Sequence, residues 1–355
     1  MKIRHLLGIG TVMTVTLSGL AQDLSGLPAY QPGPPVSGTI RSWGHGFLRP
    51  MMKLWEEGFQ IYHPGVRFED KLVSSAAAIA GLYTQRADLG VLAREITPPE
   101  VAAYQKVTGQ KLTPVTVLTG SFGNQDKIMA LGIFVHQDNP VAQLTFAQLD
   151  AIWGAEHKRG AKEKIRTWGQ LGLTGEWTGR AIHPYSGLAF EAPAYFFSQT
   201  VMQGSVLWNE ALQQFENDED ETPSHGDEKV TPQIARHVDA FQKVVDAVGA
   251  DRGGIGLAGA GYRSAHAKLV ALAVEAGGPL VEATRENVAN LTYPLARPVR
   301  FYIHHGPAVP ANPAVVEFLR FVLSREGQQL VGREGDFLPL PAATARAELE
   351  KLPKG

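Results

Sequence analysis

The 355-residue chain has no cysteine, which excludes disulfides, thiolate metal sites and a cysteine nucleophile. Neither sign of charge dominates. There are 33 Lys and Arg against 35 Asp and Glu, so the balance gives no reason to expect a nucleic-acid or acidic-membrane partner. Apolar runs long enough to span a bilayer are missing as well. The run over residues 6–17, behind Lys2 and Arg4, is too short to cross comfortably. Gly19 and Ala21 then precede Gln22, which is the layout of an export signal over residues 1–21. No cysteine follows this run, so a lipid-modified cysteine anchor is excluded. The expected mature protein is soluble and outside the cytoplasm, and periplasmic where the cell has two membranes.

Residues 22–37 are rich in Pro and Gly and read as an extended leader. From Gly38 onward strand patterns alternate with helix patterns, which argues an α/β fold with mainly parallel sheets. Strands are expected at 38–41, 66–73, 87–92, 112–118, 127–135, 180–183, 253–258, 268–273 and 297–303. Helices are expected at 48–59, 76–85, 98–107, 145–153, 187–197, 234–248 and 313–323. Thr145 supplies an N-cap, and Val315, Phe318, Leu319 and Val322 share one face of the last helix. Residues 216–228 form an acidic loop without the regular ligand spacing of a calcium loop, and are read as a solvated surface segment. No internal repeat is found.

The candidate chemistry lies in turns that open helices. The run 42–50 (SWGHGFLRP) ends a strand and launches a helix, which leaves the N–H groups of Gly44, His45, Gly46 and Phe47 available to an anion. Ser74 and Ser75 stand before the next helix, either as plain caps or as hydroxyl donors. Ser186 and Gly187 read as a second strand-to-helix turn, with His183 just upstream. Pro184 occupies the position where a serine-hydrolase elbow needs glycine, so Ser186 is read as part of an anion cradle and not as a nucleophile. Arg94 either grips an oxyanion through its planar fork or pairs with Glu95 or another acid. His304, His305 and the other histidines lack metal-ligand spacing and are read as surface or packing residues. No nucleophile–base set and no cofactor motif emerges, so the chain is read as a binder and not an enzyme.

At this point the chain resembles the PstS-like phosphate-binding, periplasmic substrate-binding proteins of ABC transporters. Residues 42–50 stand where that family has its Gly-Ser-Ser-Thr…Pro loop, and 87–95 (ADLGVLARE) is similar to its Asp-Ile-Gly…Ser-Ser-Arg segment. Further matches are Asn139-Pro140, residues 144–154, 168–172 and 253–262. The most specific are 293–298 (YPLARP), 318–328 and 335–341. The resemblance implies a type II periplasmic-binding-protein fold: two α/β lobes joined by two hinge crossovers. Lobe 1 would be residues 38–127 plus 300–341, lobe 2 residues 128–299, and 342–355 a C-terminal tail. It also implies a monomer without a metal or other cofactor, which captures inorganic phosphate or a related oxyanion and delivers it to a membrane permease. The site departs from the family at Trp43, His45 and Phe47, where hydroxyl residues are usual, at Ala93, where the family has Ser or Asp, and at Leu188, where it has Thr. Two accounts follow. In one, histidines and backbone amides still hold phosphate. In the other, the chain binds a different ligand, or serves a structural or signalling role without anion transport.

Overall fold

A computed structural model describes residues 24–124, 127–218, 239–304, 306 and 310–353. The expected signal segment 1–21, His305, most of the acidic loop and the start of the helix expected at 234 lie outside these residues. One six-stranded sheet has the order β13-β4-β12-β3-β1-β2. Its strands are β1 (Gly38–Gly44), β2 (Val66–Leu72), β3 (Leu89–Val91), β4 (Thr113–Ser121), β12 (Val299–Ile303) and β13 (Phe337–Leu338). A five-stranded sheet, β10-β5-β9-β7-β8, is built from β5 (Leu131–His136), β7 (His183–Gly187), β8 (Gln213–Phe215), β9 (Gly254–Gly259) and β10 (Ala267–Leu269). A separate pair joins β6 (Gln143–Thr145) to β11 (Ala271–Ala273).

The first sheet is covered by α1 (Arg49–Gln60), α8 (Pro313–Val322), α9 (Arg325–Glu334) and α10 (Ala342–Glu350) on one face, around a core that includes Trp55, Phe59, Phe301 and Phe318. On its other face α2 (Ser75–Tyr83) and α3 (Pro98–Thr108) close over Ile79, Leu82, Tyr104 and Tyr302. The second sheet packs α4 (Phe146–Trp153) and α5 (Ala192–Thr200) against Ile133, Ile255 and Leu257. Its opposite face carries α6 (Ala240–Ala250), with Val244 and Val248 buried. The short α7 (Arg285–Ala289) lies near the end of β4. His304 is buried against Tyr104, whose hydroxyl lies 2.7 Å from its Nδ1, and so is a packing residue.

Two segments carry the chain between the sheets, as expected for two hinge crossovers. The first runs from the end of β4 into β5 and the second runs through Leu295 and Arg297 into β12. They are tied to each other by Leu131 N–H, which donates to Leu295 O at 3.0 Å, and the first is held to itself by Ser121 N–H, which donates to Ile128 O at 2.6 Å. Gly120 sits where they converge. A Cβ there would collide with the carbonyl oxygens of both Ile128 and Arg297, so the crossing needs a residue without a side chain.

Parallel pairing is confined to β2-β1-β3, β9-β7-β8 and β6-β11, while every pair involving β4, β5 or β12, the strands next to the hinge, is antiparallel. The sheets are therefore mixed and less dominated by parallel pairs than the alternation of strands and helices suggests. Strands that lead into a crossover and back must run in opposite directions. Two other expectations shift. The strand expected at 180–183 is β7 at His183–Gly187, and the helix expected from Gly187 starts at Ala192, with Pro193 in its first turn. Proline early in a helix is the stronger start signal, because its missing N–H is not needed there. Residues 268–273 divide between β10 and β11, in different sheets.

The expected leader and tail are both structural. Leu27 and Tyr30 are buried in the core of the first sheet, as are Ala345 and Leu352. The Tyr30 hydroxyl donates to Glu317 Oε1 at 2.7 Å and lies 2.8 Å from His63 Nε2. Burial alone would raise the Glu317 pKa. Hydrogen bonds from Tyr30, Gly33 N–H and Arg320 outweigh it and hold the carboxyl below its ordinary value. Tyr30→Phe removes this donor and leaves a buried acceptor short of a partner. It is expected to cost about 1–2 kcal/mol in urea unfolding at pH 7.

Glu56 on α1 and Asp70 on β2 form a carboxyl pair. Burial first, and then the Asp70 charge, push Glu56 up to about 8. The folded chain thus keeps a proton that the unfolded chain releases above its ordinary value of 4.5. Stability from this group is complete below that value and declines as pH rises toward about 8. Glu56→Gln needs no proton, so its unfolding free energy should decline less than that of the parent between about pH 5 and about pH 8.5.

Candidate oxyanion site between two sheet edges

β1 lies between β2 and β3, all parallel, with Gly44 level with both Leu72 and Val91. The turns that follow these strands, 45–47, 73–75 and 92–94, therefore share one edge. β3 runs antiparallel to β12, which starts at the second crossover, so this edge faces the hinge. In the second sheet Gly259, the last residue of β9, is level with Leu131, where β5 leaves the first crossover. β7 and β8 run parallel to β9, so Ser186 and Gly187 also lie toward the hinge. The carboxyl ends of two parallel strand sets are thus turned toward one cleft, the place where open α/β sheets bind ligands.

On the first edge Gly44 is fixed by crowding, since a Cβ there would overlap the Val91 carbonyl. His45 N–H donates to Val91 O at 3.0 Å, and Phe47 N–H donates to His45 Nδ1 at 3.2 Å. Two of the N–H groups expected to face an anion are therefore used internally, and the turn's remaining backbone donor is Gly46 N–H. The same bond fixes the imidazole tautomer: a Nδ1 that accepts carries no proton, so the ring proton is on Nε2. The ring sits over Phe47 with centroids 4.3 Å apart.

Ser74 is the N-cap of α2, and its Oγ accepts from Ala76 N–H at 3.2 Å. Ser75 Oγ accepts from Ala93 N–H at 3.0 Å and joins the start of α2 to the end of β3. Both hydroxyls act as acceptors within the protein, which leaves each its own proton to give. Ser75 is only 5% exposed, so that donor is largely shielded from water.

Arg94 does not offer its fork to the cleft. Its guanidinium makes two hydrogen bonds to Glu100, at 2.9 and 2.7 Å, and a third to Glu95 O. Of the two roles open to it, the structure shows the ion pair. Glu100 also closes the capping box of α3 on Thr97. The neighbouring Glu95 is gripped by Arg297, at 3.2 and 2.9 Å, and that guanidinium lies 5.3 Å from the Phe196 ring. Beside this clamp a groove of about 540 Å³ runs between α3 and α5, lined by Ile96, Val101 and Tyr195 among others.

On the second edge the structure corrects two expectations. Ser186 and Gly187 do not open a helix. They end β7, and Ser186 Oγ donates to Gly187 O at 2.6 Å. His183 begins the same strand, three residues and so roughly 10 Å further from the cleft. It is 47% exposed and pairs with Asp251 at 2.6 Å. Burial would raise Asp251, but hydrogen bonds from His183, Gly253 N–H and Tyr185 hold it below its ordinary value. His183 stood near Ser186 in the sequence, but a strand carries such neighbours apart.

One residue near this edge was not singled out from the sequence. Glu191 is the N-cap residue of α5 yet its side chain makes no capping bond, and Pro193 at the second helical position has no N–H to offer. The carboxyl instead lies by Gly187, with Oε2 3.8 Å from where a Cβ would stand. Burial, and then the charge of Glu216, raise its pKa. The signal that could have revealed it was Pro193, which marks the helix start. The lips of the cleft also carry exposed apolar side chains, Val73 at 68% and Phe190 at 82% exposure. Among the described residues no group of three or more His, Asp or Glu side chains is placed to hold a metal ion, and no helix is long and apolar enough to cross a membrane.

The family model for the PBP superfamily domain matches residues 29–326, which places the chain among two-lobed binding proteins. The phosphate-binding protein PstS of Pseudomonas aeruginosa is 32% identical over 356 residues, covering 99% of each chain. The chain belongs to this family of substrate-binding proteins. Two solved structures share its fold. One is a possible phosphate binding protein from Planctomyces limnophilus, with TM-score 0.52 and 20% identity, covering 89% of this chain and 98% of that one. The other is PstS from Borrelia burgdorferi, with TM-score 0.55 and 13% identity, covering 86% and 100%.

Proposed function

We propose that the protein is an exported, periplasmic binding protein that captures inorganic phosphate in the cleft and hands it, as a monomer and without catalysis, to an ABC permease. The relationship to PstS, extending over the full length of both chains, supports the ligand and the transport role. The signal-like layout of residues 1–21 supports export. The lobe boundaries follow the sequence reading, with residues 24–37 and 342–353 added to lobe 1, whose core they enter.

One observation carries the ligand reading. On a single sheet edge, Ser74, Ser75 and His45 Nδ1 all accept bonds from backbone N–H groups, so the protons they retain are on the hydroxyls and on Nε2. With Gly46 N–H these make a set of donors, which suits the bare oxygens of an oxyanion. The charge of the anion is met by aligned peptide dipoles at the starts of α1 and α2. The arrangement depends less on a formal cation than the family pattern does, because Arg94 is held by Glu100.

Calorimetric titration of the mature protein with phosphate tests this reading. Saturable binding is expected. A hydrogen bond to an anion is worth about 1.5–3 kcal/mol, so Ser75→Ala and His45→Ala should each weaken binding roughly tenfold or more. His183→Ala, altered at the far end of β7, should leave affinity unchanged. Absence of heat with phosphate, or a loss as large in His183→Ala as in the other two, would count against the assignment.

A further inference from the structure

Arg297 belongs to the second crossover, yet its guanidinium has partners in both lobes. On the first lobe the Glu95 carboxylate accepts from its Nε and one terminal nitrogen, at 3.2 and 2.9 Å. On the second lobe the ring of Phe196, on α5, lies against the guanidinium with its centroid 5.3 Å from Cζ. The pair is sealed from water: the Arg297 side chain is 3% exposed and that of Glu95 17%. Beside it, Tyr195 and Gln199 of α5 face Ile96, Val101 and Gln105 of the first lobe across the groove. Glu100 holds Arg94 with two bonds of its own, which leaves Glu95 to Arg297.

We infer that Phe196 and the Arg297–Glu95 pair form a latch that favours the closed state of the cleft and sets how long a captured ligand is retained, without touching it. The inference rests on the oxyanion reading above for its ligand and adds a device that governs release. The two halves of the latch answer differently to hinge motion. Glu95 lies on the first lobe and Arg297 on the crossover at its edge, so their bidentate bond travels with that lobe and fixes the plane of the guanidinium. Phe196 packs in the core of the second lobe, so a rotation that widens the cleft carries its ring off the guanidinium. The cation–π attraction is made on closing and lost on opening, and it is strongest where water is kept out. Closing also strips water from the ion pair, which by itself opposes closure. The ring that takes the place of that water offsets the loss, so the side chain at position 196 decides which way the pair leans. A contact present in one state only shifts the balance toward that state by its own worth.

Stopped-flow kinetics with inorganic phosphate test this on the parent protein, Phe196→Leu and Phe196→Tyr. Leucine keeps the apolar contact with the core of the second lobe and removes the ring, whereas tyrosine keeps the ring. Thermal melting should show all three proteins folded. Capture takes place with the lobes apart, and release needs them to part again. Phe196→Leu should therefore release phosphate several-fold to about thirtyfold faster with its association rate unchanged, and Phe196→Tyr should stay close to the parent. In a Glu95→Gln background, where the guanidinium is no longer held in plane, Phe196→Leu should speed release less than it does in the parent. Without phosphate, spin labels on cysteines placed at residues 73 and 190 should report a wider cleft in Phe196→Leu than in the parent. Release unchanged in Phe196→Leu, or speeded as much in Phe196→Tyr, overturns the latch and leaves oxyanion capture standing. A parent protein that binds no phosphate overturns the oxyanion reading. The latch is then judged by the phosphate-free cleft width alone, and an equal width in the parent and Phe196→Leu overturns it.

Discussion

The structure depends on the place where the chain crosses twice between its two sheets. At Gly120 the backbones of the two crossovers approach so closely that even a methyl group would strike the carbonyls of Ile128 and Arg297. Hydrogen bonds from Ser121 to Ile128 and from Leu131 to Leu295 hold the crossing in register. That register fixes which ends of the strands look toward the hinge. β4 and β12 lead to and from it, so β1 and β3, aligned through β12, end at the cleft. β5 leaves the crossing antiparallel to β9, so β9 and β7 end there too. The Arg297 guanidinium, gripped by Glu95 and lying against Phe196, bridges the two lobes beside that crossing. Two lobes joined in this way can move by small changes at the crossover, as hinge closure requires.

With the strand ends facing each other, the chemistry of the site follows from which atoms are already occupied. The sequence offers hydroxyls, histidine and arginine, but their bonds inside the protein decide what they can still do. Arg94 is committed to Glu100, and Ser186 gives its proton to its neighbour's carbonyl. Ser74, Ser75 and His45 take backbone protons and keep their own. The N-terminal strap takes part from a distance. Tyr30 bonds to Glu317 on α8, which packs behind the sheet whose edge holds the donors.

Much of the framework was legible in the sequence, because it is written in local patterns. The amphipathic spacing of α8, the Thr145 cap of α4 and the Ser74 cap of α2 each predict an element close to where it occurs. The resemblance over the motifs from residue 42 to 341 supplied the two-lobed arrangement that periodicity alone leaves open. β7 and α5 lie later in the chain than Gly187 suggests, because Pro193 sets the start of the helix. His183 was grouped with Ser186 by nearness along the chain, although a strand separates such residues by its rise. The bond between Arg94 and Glu100 was within reach, since Thr97 and Glu100 form a capping box in plain sequence. The resemblance supplied the two hinge crossovers, but not the contacts between them. Gly120, Ile128, Leu295 and Arg297 come together only through tertiary contacts, and no local pattern encodes them.

The central claim is that phosphate bridges the two edges and draws the lobes together about this crossing. The absence of cysteine makes it open to direct measurement. Val73 and Phe190 are exposed, one on each lip, so spin labels on cysteines placed at these two positions report the width of the cleft. The distance distribution between them, measured by pulsed electron paramagnetic resonance, should shift to shorter values when phosphate is added. A distribution unchanged at saturating phosphate would contradict the account.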